Sequence, residues 1–253
     1  MRNFRYLFIL LVAVFSINAA YSQTIKDSTW KSARKNIIRY NLSSALLFGF
    51  DKSMIFGYER VLSPRRSFSV NFGKAGLPKL ITIVTDSFSV NKDVKNTGFN
   101  FSVDYRFYLR DINKYGAPRG IYIGPYYSFN KVNRTNDWNA NSSSGSRVVS
   151  TEADMNINVV GFELGYQFIF WNRLAIDLVM IGPGLGWYKL EATAKGNLNL
   201  GEREQLLDAV QDIIQQKFPG MNYVLADQKL SATGTVKTTT IGYRYLIHVG
   251  FNF

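Results

Sequence analysis

The catalytic chemistry open to this chain is narrow, because it has a single histidine, His248, and no cysteine. Zinc sites and most catalytic triads need several such side chains, and a disulfide or a thiolate nucleophile needs cysteine. No glycine-rich phosphate loop and no metal-spaced acidic cluster is visible in the sequence. We therefore expect no cofactor, no metal and no catalytic residue. Acid–base chemistry at His248 stays open as an alternative.

Ionisable residues recur at alternate positions, opposite apolar residues. In the C-terminal stretch 240–253, the odd positions from Ile241 to Phe253 are apolar or aromatic, whereas Arg244 and His248 are even. A period of two is the spacing at which a strand shows its two faces to different surroundings. Charges inside a narrow sheet must pair, so we predict a structural ion network in its interior. Its predicted members are Arg39, Glu59, Asp104, Arg106, Glu163, Asp177, Arg244 and His248.

Eight segments show this alternation and are predicted to be strands. A ninth stretch, 80–90, is also strand-like and allows a count of ten, but its apolar residues are contiguous, so we favour a projecting hairpin. The proline of each Ile-Gly-Pro sequence, Pro125 and Pro183, predicts a bulge or a bend. Long links of twenty residues or more are predicted after the third, fifth and seventh strands. The strands are expected at about 37–50, 54–62, 68–73, 99–109, 120–131, 160–170, 174–180 and 240–253.

The apolar face of these segments decides the class of fold. Aromatic residues make up 15% of the chain and charged residues only 19%. The polar face is rich in Gly, Ser and Asn, which suits a crowded interior, and the apolar face carries Phe and Tyr along its whole length. We therefore predict an all-β fold, a transmembrane antiparallel up-and-down β-barrel of eight strands, ten being possible. A soluble lipocalin-like carrier, with its apolar face inward, is the alternative fold.

The N-terminus predicts export. Residues 1–22 combine Arg2 and Arg5, an apolar run over 6–17 and small residues before Gln23, which is the pattern of a secretory signal peptide. Residues 23–35 are polar and predict a flexible lead. Residues 36–253 are then assigned to the barrel.

One segment breaks the period of two. Residues 202–218 place their apolar side chains on one helical stripe and end before Pro219-Gly220, which predicts an amphipathic helix in the last long loop, an insert at about 201–220. A partner-docking or lid role is a hypothesis, whereas packing against its own loops is the simpler expectation. The stripe consists of Leu206, Leu207, Val210, Ile213, Ile214 and Phe218.

The formal net charge of +12 raises the question of a nucleic-acid partner. The basic residues are scattered through predicted turns, however, and an anionic lipid surface would attract the same positive charge. We therefore expect contact with outer-membrane lipid, including anionic lipopolysaccharide, and not with nucleic acid. The turn residues are Arg65, Arg66, Arg110, Lys114, Arg119 and Arg173.

Several stretches resemble small outer-membrane β-barrel proteins of Gram-negative bacteria. They are Gly-Tyr-Glu-Arg-Val-Leu at 57–62, Gly-Ile-Tyr-Ile-Gly-Pro-Tyr-Tyr at 120–127 and the terminal Phe253. Over roughly residues 36–253 the chain is similar to the outer-membrane-protein-A-like barrel superfamily, in particular its domain-of-unknown-function members. The resemblance implies location in the cell outer membrane and insertion by the barrel-assembly machinery. It further implies that Tyr245, Phe251 and Phe253 form the assembly signal.

The sequence patterns and the resemblance predict the location and the fold of the protein but no activity. We expect a non-enzymatic outer-membrane protein with a structural or surface-binding role and an unknown protein or ligand partner at the outer loops. A small-solute channel and a lipid-active outer-membrane enzyme using His248 are the alternatives.

Overall fold

The strands of this chain close into one sheet. A computed structural model describes residues 34–76, 88–142, 145–217, 221–225, 229–230 and 234–253. The predicted signal peptide, the predicted lead as far as residue 33 and residues 80–87 of the ambiguous stretch lie outside the described residues.

Within the described residues the fold is all-β with a few helices. Each strand pairs antiparallel with the next along the chain, and the last returns to pair with the first, where Tyr40 lies opposite Val249. The predicted count of eight strands in up-and-down order is confirmed, and residues 88–90 of the ambiguous stretch begin the fourth strand. The strands are β1 Asn36–Asn41, β2 Ser53–Ser63, β3 Arg66–Ala75, β4 Phe88–Tyr108, β5 Gly120–Ser142, β6 Gly145–Phe170, β7 Leu174–Lys195 and β8 Thr235–Asn252.

The first predicted strand, 37–50, is wrong beyond Asn41. There the chain turns into a short helix, α1, over Leu42–Phe48. The Asn41 side chain accepts a hydrogen bond from the Ser44 N–H at 3.0 Å, which satisfies a free donor of the first helical turn. Gly49, at φ 96°, ends the helix and donates its N–H to Ala45. Local capping therefore outweighs the apolar alternation.

The long link predicted between the fifth and sixth strands is also wrong. β5 and β6 continue as a hairpin, paired in one register from Gly120 opposite Gln167 to Ser142 opposite Gly145. The prediction failed because the apolar residues change sides along these strands. Val132 and Trp138 point inward and are buried, while polar residues such as Asn133 and Thr135 face outward.

The two proline sites behave differently. Near Pro183 the register of β7 shifts against both neighbouring strands, and Met180 and Ile181 both lie exposed, so the predicted bulge is present. Pro125 pairs with Phe162 without a change of register. Its missing N–H is tolerated because the ladder to β4 skips this position and resumes at Ile123.

The link between β7 and β8 carries two helices, α2 over Leu200–Lys217 and α3 over Met221–Val224. The predicted insert at 201–220 therefore holds the expected helix. None of the helices in the described part of the chain is long and apolar enough to cross a membrane. The inner sides of the long strands pack on α2 and α3 in one apolar core. Its strand members are Val132, Trp138, Val149, Met155, Leu190, Ala192 and Val236.

Two ends of the sheet can now be distinguished. The turn end carries the tight turns at 64–65 and 171–173 and the terminal Phe253, and the loop end carries α2 and α3. Towards the turn end the outward-facing side chains of all eight strands are large, apolar and exposed, and we call this set the belt. Its members include Ile38, Phe56, Phe72, Phe99, Ile123, Val160, Phe162, Phe168, Leu185, Ile241, Tyr243, Ile247 and Phe251.

Candidate functional site: the polar interior and the adjoining cavity

The interior of the sheet next to the belt is polar and charged. Strand alternation turns all eight predicted ionisable residues inward, and none is more than 8% exposed. β4 and β8 supply two each, and β1, β2, β6 and β7 supply one each. With a neutral histidine, the set contains three arginines and four carboxylates.

Arg106 lies at the centre of this network. Its Nε donates to Asp104 Oδ1 at 2.6 Å, and its Nη2 donates to Asp177 Oδ2 at 2.9 Å. Its Nη1 donates to Gln167 at 2.9 Å, and its guanidinium lies over the Tyr122 ring, 4.3 Å from the ring centroid. Every nitrogen of the guanidinium therefore faces an acceptor, which is the condition for burying such a charge.

Arg39 connects the opposite side of the sheet to the same acids. Its Nη1 donates to Asp177 Oδ2 at 3.0 Å, and its Nε donates to Asn71 Oδ1 at 3.0 Å. Asp104 lies 3.3 Å from its Nη2, and Glu59 lies 3.6 Å from its Nη1. Arg39 and Arg106 thus share Asp104, Glu59 and Asp177, so the network spans the interior from wall to wall.

Arg244 and His248 are held more loosely. The Arg244 Nη atoms lie 3.5 Å from Glu163 and 3.6 Å from Asp104, and neither makes a hydrogen bond to any described residue. The Cζ of Arg244 stands 4.8 Å from the centroid of the Tyr126 ring. The Nδ1 of His248 is 3.2 Å from Asp177 Oδ2. Arg244 therefore keeps donors that an acceptor oxygen could use.

The sequence-based prediction missed the neutral members of the network. Tyr122 donates to Asp177 at 2.7 Å, Tyr108 donates to Glu59 at 3.1 Å, and Ser67 donates to Glu59 at 2.6 Å. Each lies on the inward-facing parity of its strand, which is the signal that could have found them. Tyr108 was placed on the same face as Asp104 and Arg106, but the predicted network contained only ionisable Arg, His, Asp and Glu side chains, so its neutral members were left out.

Inward-facing glycines provide the room for these long side chains. A Cβ on Gly57 would come within 2.1 Å of Asn71 Oδ1, and one on Gly165 would come within 2.3 Å of the Tyr122 ring. An eight-stranded closed sheet is only wide enough for side chains to fill. The glycines opposite the arginines and tyrosines therefore let the network fit.

A cavity of about 520 Å³ adjoins the network on its loop-end side. Arg244 lies at the boundary between the two, and Met221 and Val224 of α3 form the roof. The walls are mainly apolar, and a polar patch on β4 and β5 lies directly beside the apolar residues of β6. The apolar walls include Ile55, Val132, Met155, Ile157 and Val159, and the polar patch includes Asn100, Ser102, Ser128 and Asn130.

The remaining predicted residues lie elsewhere. Five residues of the helical stripe, Leu206, Leu207, Val210, Ile213 and Ile214, are buried in the core against the chain's own strands. They therefore offer no docking surface as placed, and Phe218 lies outside the described residues.

The three residues of the proposed assembly signal face outward. Tyr245, Phe251 and Phe253 are exposed on the outside of β8 and at its end. The Phe253 N–H donates to Asn36 at 2.8 Å, which ties the end of the chain into the seam between β1 and β8.

His248 lies apart from the cavity. It is 1% exposed and is not part of the cavity lining, and its Nε2 has no hydrogen-bond partner within the described part of the chain. Among the described residues, no group of three histidine or acidic side chains is placed to hold a metal ion.

No protein-family model matches this sequence, and no curated protein is similar enough to it to count as a relative. The resemblance to the outer-membrane-protein-A-like barrels therefore stays a prediction.

Proposed function

We propose that this chain is a non-enzymatic β-barrel protein of the bacterial outer membrane, with a structural or surface-binding role at its loop end. The observation that carries the proposal is the belt. Soluble monomers rarely expose contiguous apolar patches of more than a few hundred Å². Here apolar side chains are exposed on all eight strands, which is the pattern expected of a surface covered by acyl chains.

The height of the belt supports the proposal. Along β8 the exposed apolar positions run from Ile241 to Phe251, with polar Thr239 beyond them. These ten residue steps cover roughly 34 Å along the strand, or roughly 26 Å across a sheet tilted by about 40°. The outward apolar band of transmembrane barrels is about 25 Å tall.

The interior supports it as well. A soluble carrier barrel has an apolar inside and a polar outside. In this chain the belt faces outward, while Arg39, Arg106 and Asp177 are buried in the middle. That arrangement is opposite to the lipocalin-like alternative.

The network argues against the channel alternative. Arg39 and Arg106 both bind Asp104 and Asp177 across the interior, so side chains occupy the section that a solute would have to cross. We expect no ion conductance when the protein is inserted in a planar bilayer. A stable open conductance would favour the channel.

The burial of His248 argues against the lipid-active enzyme. A lipid substrate would have to reach an imidazole that is 1% exposed and lies outside the cavity lining. His248→Ala should leave the lipid composition of a host outer membrane unchanged. A changed acylation pattern would restore the enzymatic alternative.

The proposal is tested by locating the full chain, with its natural N-terminus, in a Gram-negative host. We expect recovery with the outer-membrane fraction, resistance to alkaline carbonate extraction, and a heat-dependent shift in gel mobility. Proteolysis of whole cells should cut at the loop end and spare the turn end. A mature chain that is monomeric and stable in detergent-free buffer would overturn the proposal.

A further inference from the structure

The seam between the first and last strands is only partly closed. β1 ends at Asn41, opposite His248, whereas β8 begins at Thr235. Over 235–247 β8 therefore pairs with β7 on one side, and no strand of the described residues pairs with it on the other. The unpaired edge covers most of the belt level between Ile241 and Ile247.

Two hydroxyl groups cap this edge at its two ends. The Ile247 N–H donates to the Ser43 hydroxyl of α1 at 3.2 Å, and the Tyr223 hydroxyl of α3 donates to the Ile241 carbonyl at 3.0 Å. α1 thus takes the place of a strand beside β8. Between the two caps lies the edge at Tyr243 and Tyr245.

The cavity reaches the outside at this edge. Its lining includes Arg244 and Leu246, which point inward, and also Tyr243 and Tyr245, which point outward and are 54% and 61% exposed. Residues of both faces of β8 line one cavity here, as expected where a cavity lies against the unpaired edge of a strand. On the far side of this mouth stands Leu47 of α1, which is 63% exposed.

The position of the mouth decides what can enter. Tyr243 and Tyr245 border it within the belt, and Met221, Tyr223 and Val224 of α3 line the cavity on the loop-end side. A molecule that reaches the cavity by this route comes from the medium around the belt. This step rests on the proposed function, in which that medium is lipid.

The lining indicates the chemistry of the occupant. The volume of the cavity, about 520 Å³, falls within the roughly 300–1,000 Å³ that is typical of small-molecule sites, and the cavity walls are largely apolar. The Arg244 Nη atoms are buried and make no hydrogen bond, so they can donate to an oxygen of the occupant. Arg244 already faces two carboxylates, Glu163 and Asp104, so the negative charge of an anionic occupant would be uncompensated.

We propose that this cavity binds a neutral, single-chain acyl lipid, taken up sideways from the membrane between α1 and β8. The acyl chain lies along Val159 and Ile157, and a carbonyl oxygen of the uncharged head accepts from Arg244. The hydroxyls of Ser102 and Ser128 meet the rest of the head, because this pair is the next inward pair after Asp104 and Tyr126, which lie beside Arg244.

The test uses the full mature chain in phosphatidylcholine vesicles with a monoacylglycerol that carries a photoreactive diazirine on its acyl chain. Flotation with the vesicles is measured first, because a chain that does not float overturns the proposed function. In a floating chain we expect cross-links on the β6 peptide that contains Ile157 and Val159. Cross-links confined to belt residues such as Phe162 would overturn the inference alone.

A cavity-filling variant supplies the matched comparison. Ser128→Phe places a ring in the cavity and should weaken labelling of β6 by about tenfold or more, since even one methylene in a fitted pocket changes binding by roughly 10–200-fold. Thr239→Phe adds the same ring on the outer face and should leave labelling unchanged. Equal labelling in both floating variants would contradict the site.

The route and the head group are tested separately. The chain has no cysteine, so Leu47→Cys with Tyr245→Cys can be bridged across the mouth by a reducible bifunctional thiol reagent. Bridging should abolish labelling by lipid added afterwards, and reduction should restore it; labelling unaffected by the bridge would exclude the lateral route. Competition by monoolein should exceed that by oleate, and the reverse order would overturn the neutral head group.

Discussion

The two ends of the closed sheet are built on opposite plans. Towards the turn end, Phe56 and Phe251 are half exposed outside, while Arg106 and Glu59 are fully buried inside. Towards the loop end, polar residues such as Thr239 face outward, while Trp138 and the apolar face of α2 form the core. The same strands pass through both regions, so strand geometry alone does not decide which face is apolar.

The outward faces of β6, β7 and β8 change from apolar to polar at paired positions. Outward Val160 of β6 pairs with Leu185 of β7, and Leu185 pairs with Ile241 of β8, all within the belt. Four residues further towards the loop end, Asn156 pairs with Lys189, and Lys189 pairs with Lys237. Paired positions on β6, β7 and β8 thus change from apolar to polar together.

The difference indicates which interactions should matter in each region. At the turn end the interior is held together by paired charges and not by the burial of apolar side chains. At the loop end the interior is stabilised by the burial of apolar side chains. Substitutions that are matched in chemistry but placed in different regions should therefore have very different effects.

The largest effect is expected from Arg106→Met. It removes the cation shared by Asp104 and Asp177 and leaves buried carboxylates undercompensated, so the free energy of unfolding should fall by about 3–5 kcal/mol. Urea titration of the protein folded in vesicles measures this. Arg147→Met, at a partly exposed arginine that binds Glu202, is the control and should cost no more than about 1 kcal/mol. Similar losses in both variants would mean that the buried network contributes no more than an exposed pair.

The next effect is expected from Leu206→Ala in the loop-end core. Leu206 is fully buried, and a truncation of this kind costs about 2–5 kcal/mol. Hydrogen exchange should accelerate in α2 and in the outer parts of β5 and β6, while the pairing of β1 with β2 stays protected. Uniform acceleration over the whole sheet would show that the two regions unfold as one unit.

Ile247→Arg tests the medium around the belt. A charged side chain near the middle of a bilayer destabilises a barrel by about 2–4 kcal/mol, and by about 0–1 kcal/mol near the interface. Ile247 lies within the belt and Thr239 lies beyond it, so Thr239→Arg should have the smaller effect. Comparable unfolding free energies for these two variants in vesicles would place the boundary elsewhere.

The smallest effect is expected at the outer ion pair between Lys195 and Glu152, whose side chains are about half exposed. Solvent screens such a pair, so Lys195→Ala should change the free energy of unfolding by about 0.2–1 kcal/mol, and less at high salt. A loss as large as that of Arg106→Met would contradict the distinction between the outer surface and the interior.

The common face of the ionisable residues was predictable from alternation, and its inward direction from the Gly, Ser and Asn that share that face. Asp104 and Arg106 stand two residues apart on one strand, so their common face follows from the period of two. Two features were not predictable in this way. α1 was missed because Leu42, Leu46 and Phe48 continue an apolar alternation that capping by Asn41 interrupts. The hairpin of β5 and β6 was missed because Trp138 belongs to an inward apolar core that begins where the belt ends.

Alternation and helical periodicity are local properties, so the amino-acid sequence was enough to predict a count of eight strands, the helix near 202–218 and the residues that share a face with His248. The pairs that hold the interior together depend on closure. Arg39 binds Asp177 across 138 residues of chain, and Arg106 binds Asp177 across 71. The unpaired edge of β8 and the cavity beside it depend on the short length of β1, which ends opposite His248. The residue pattern of β8 contains no information on the length of the neighbouring strand.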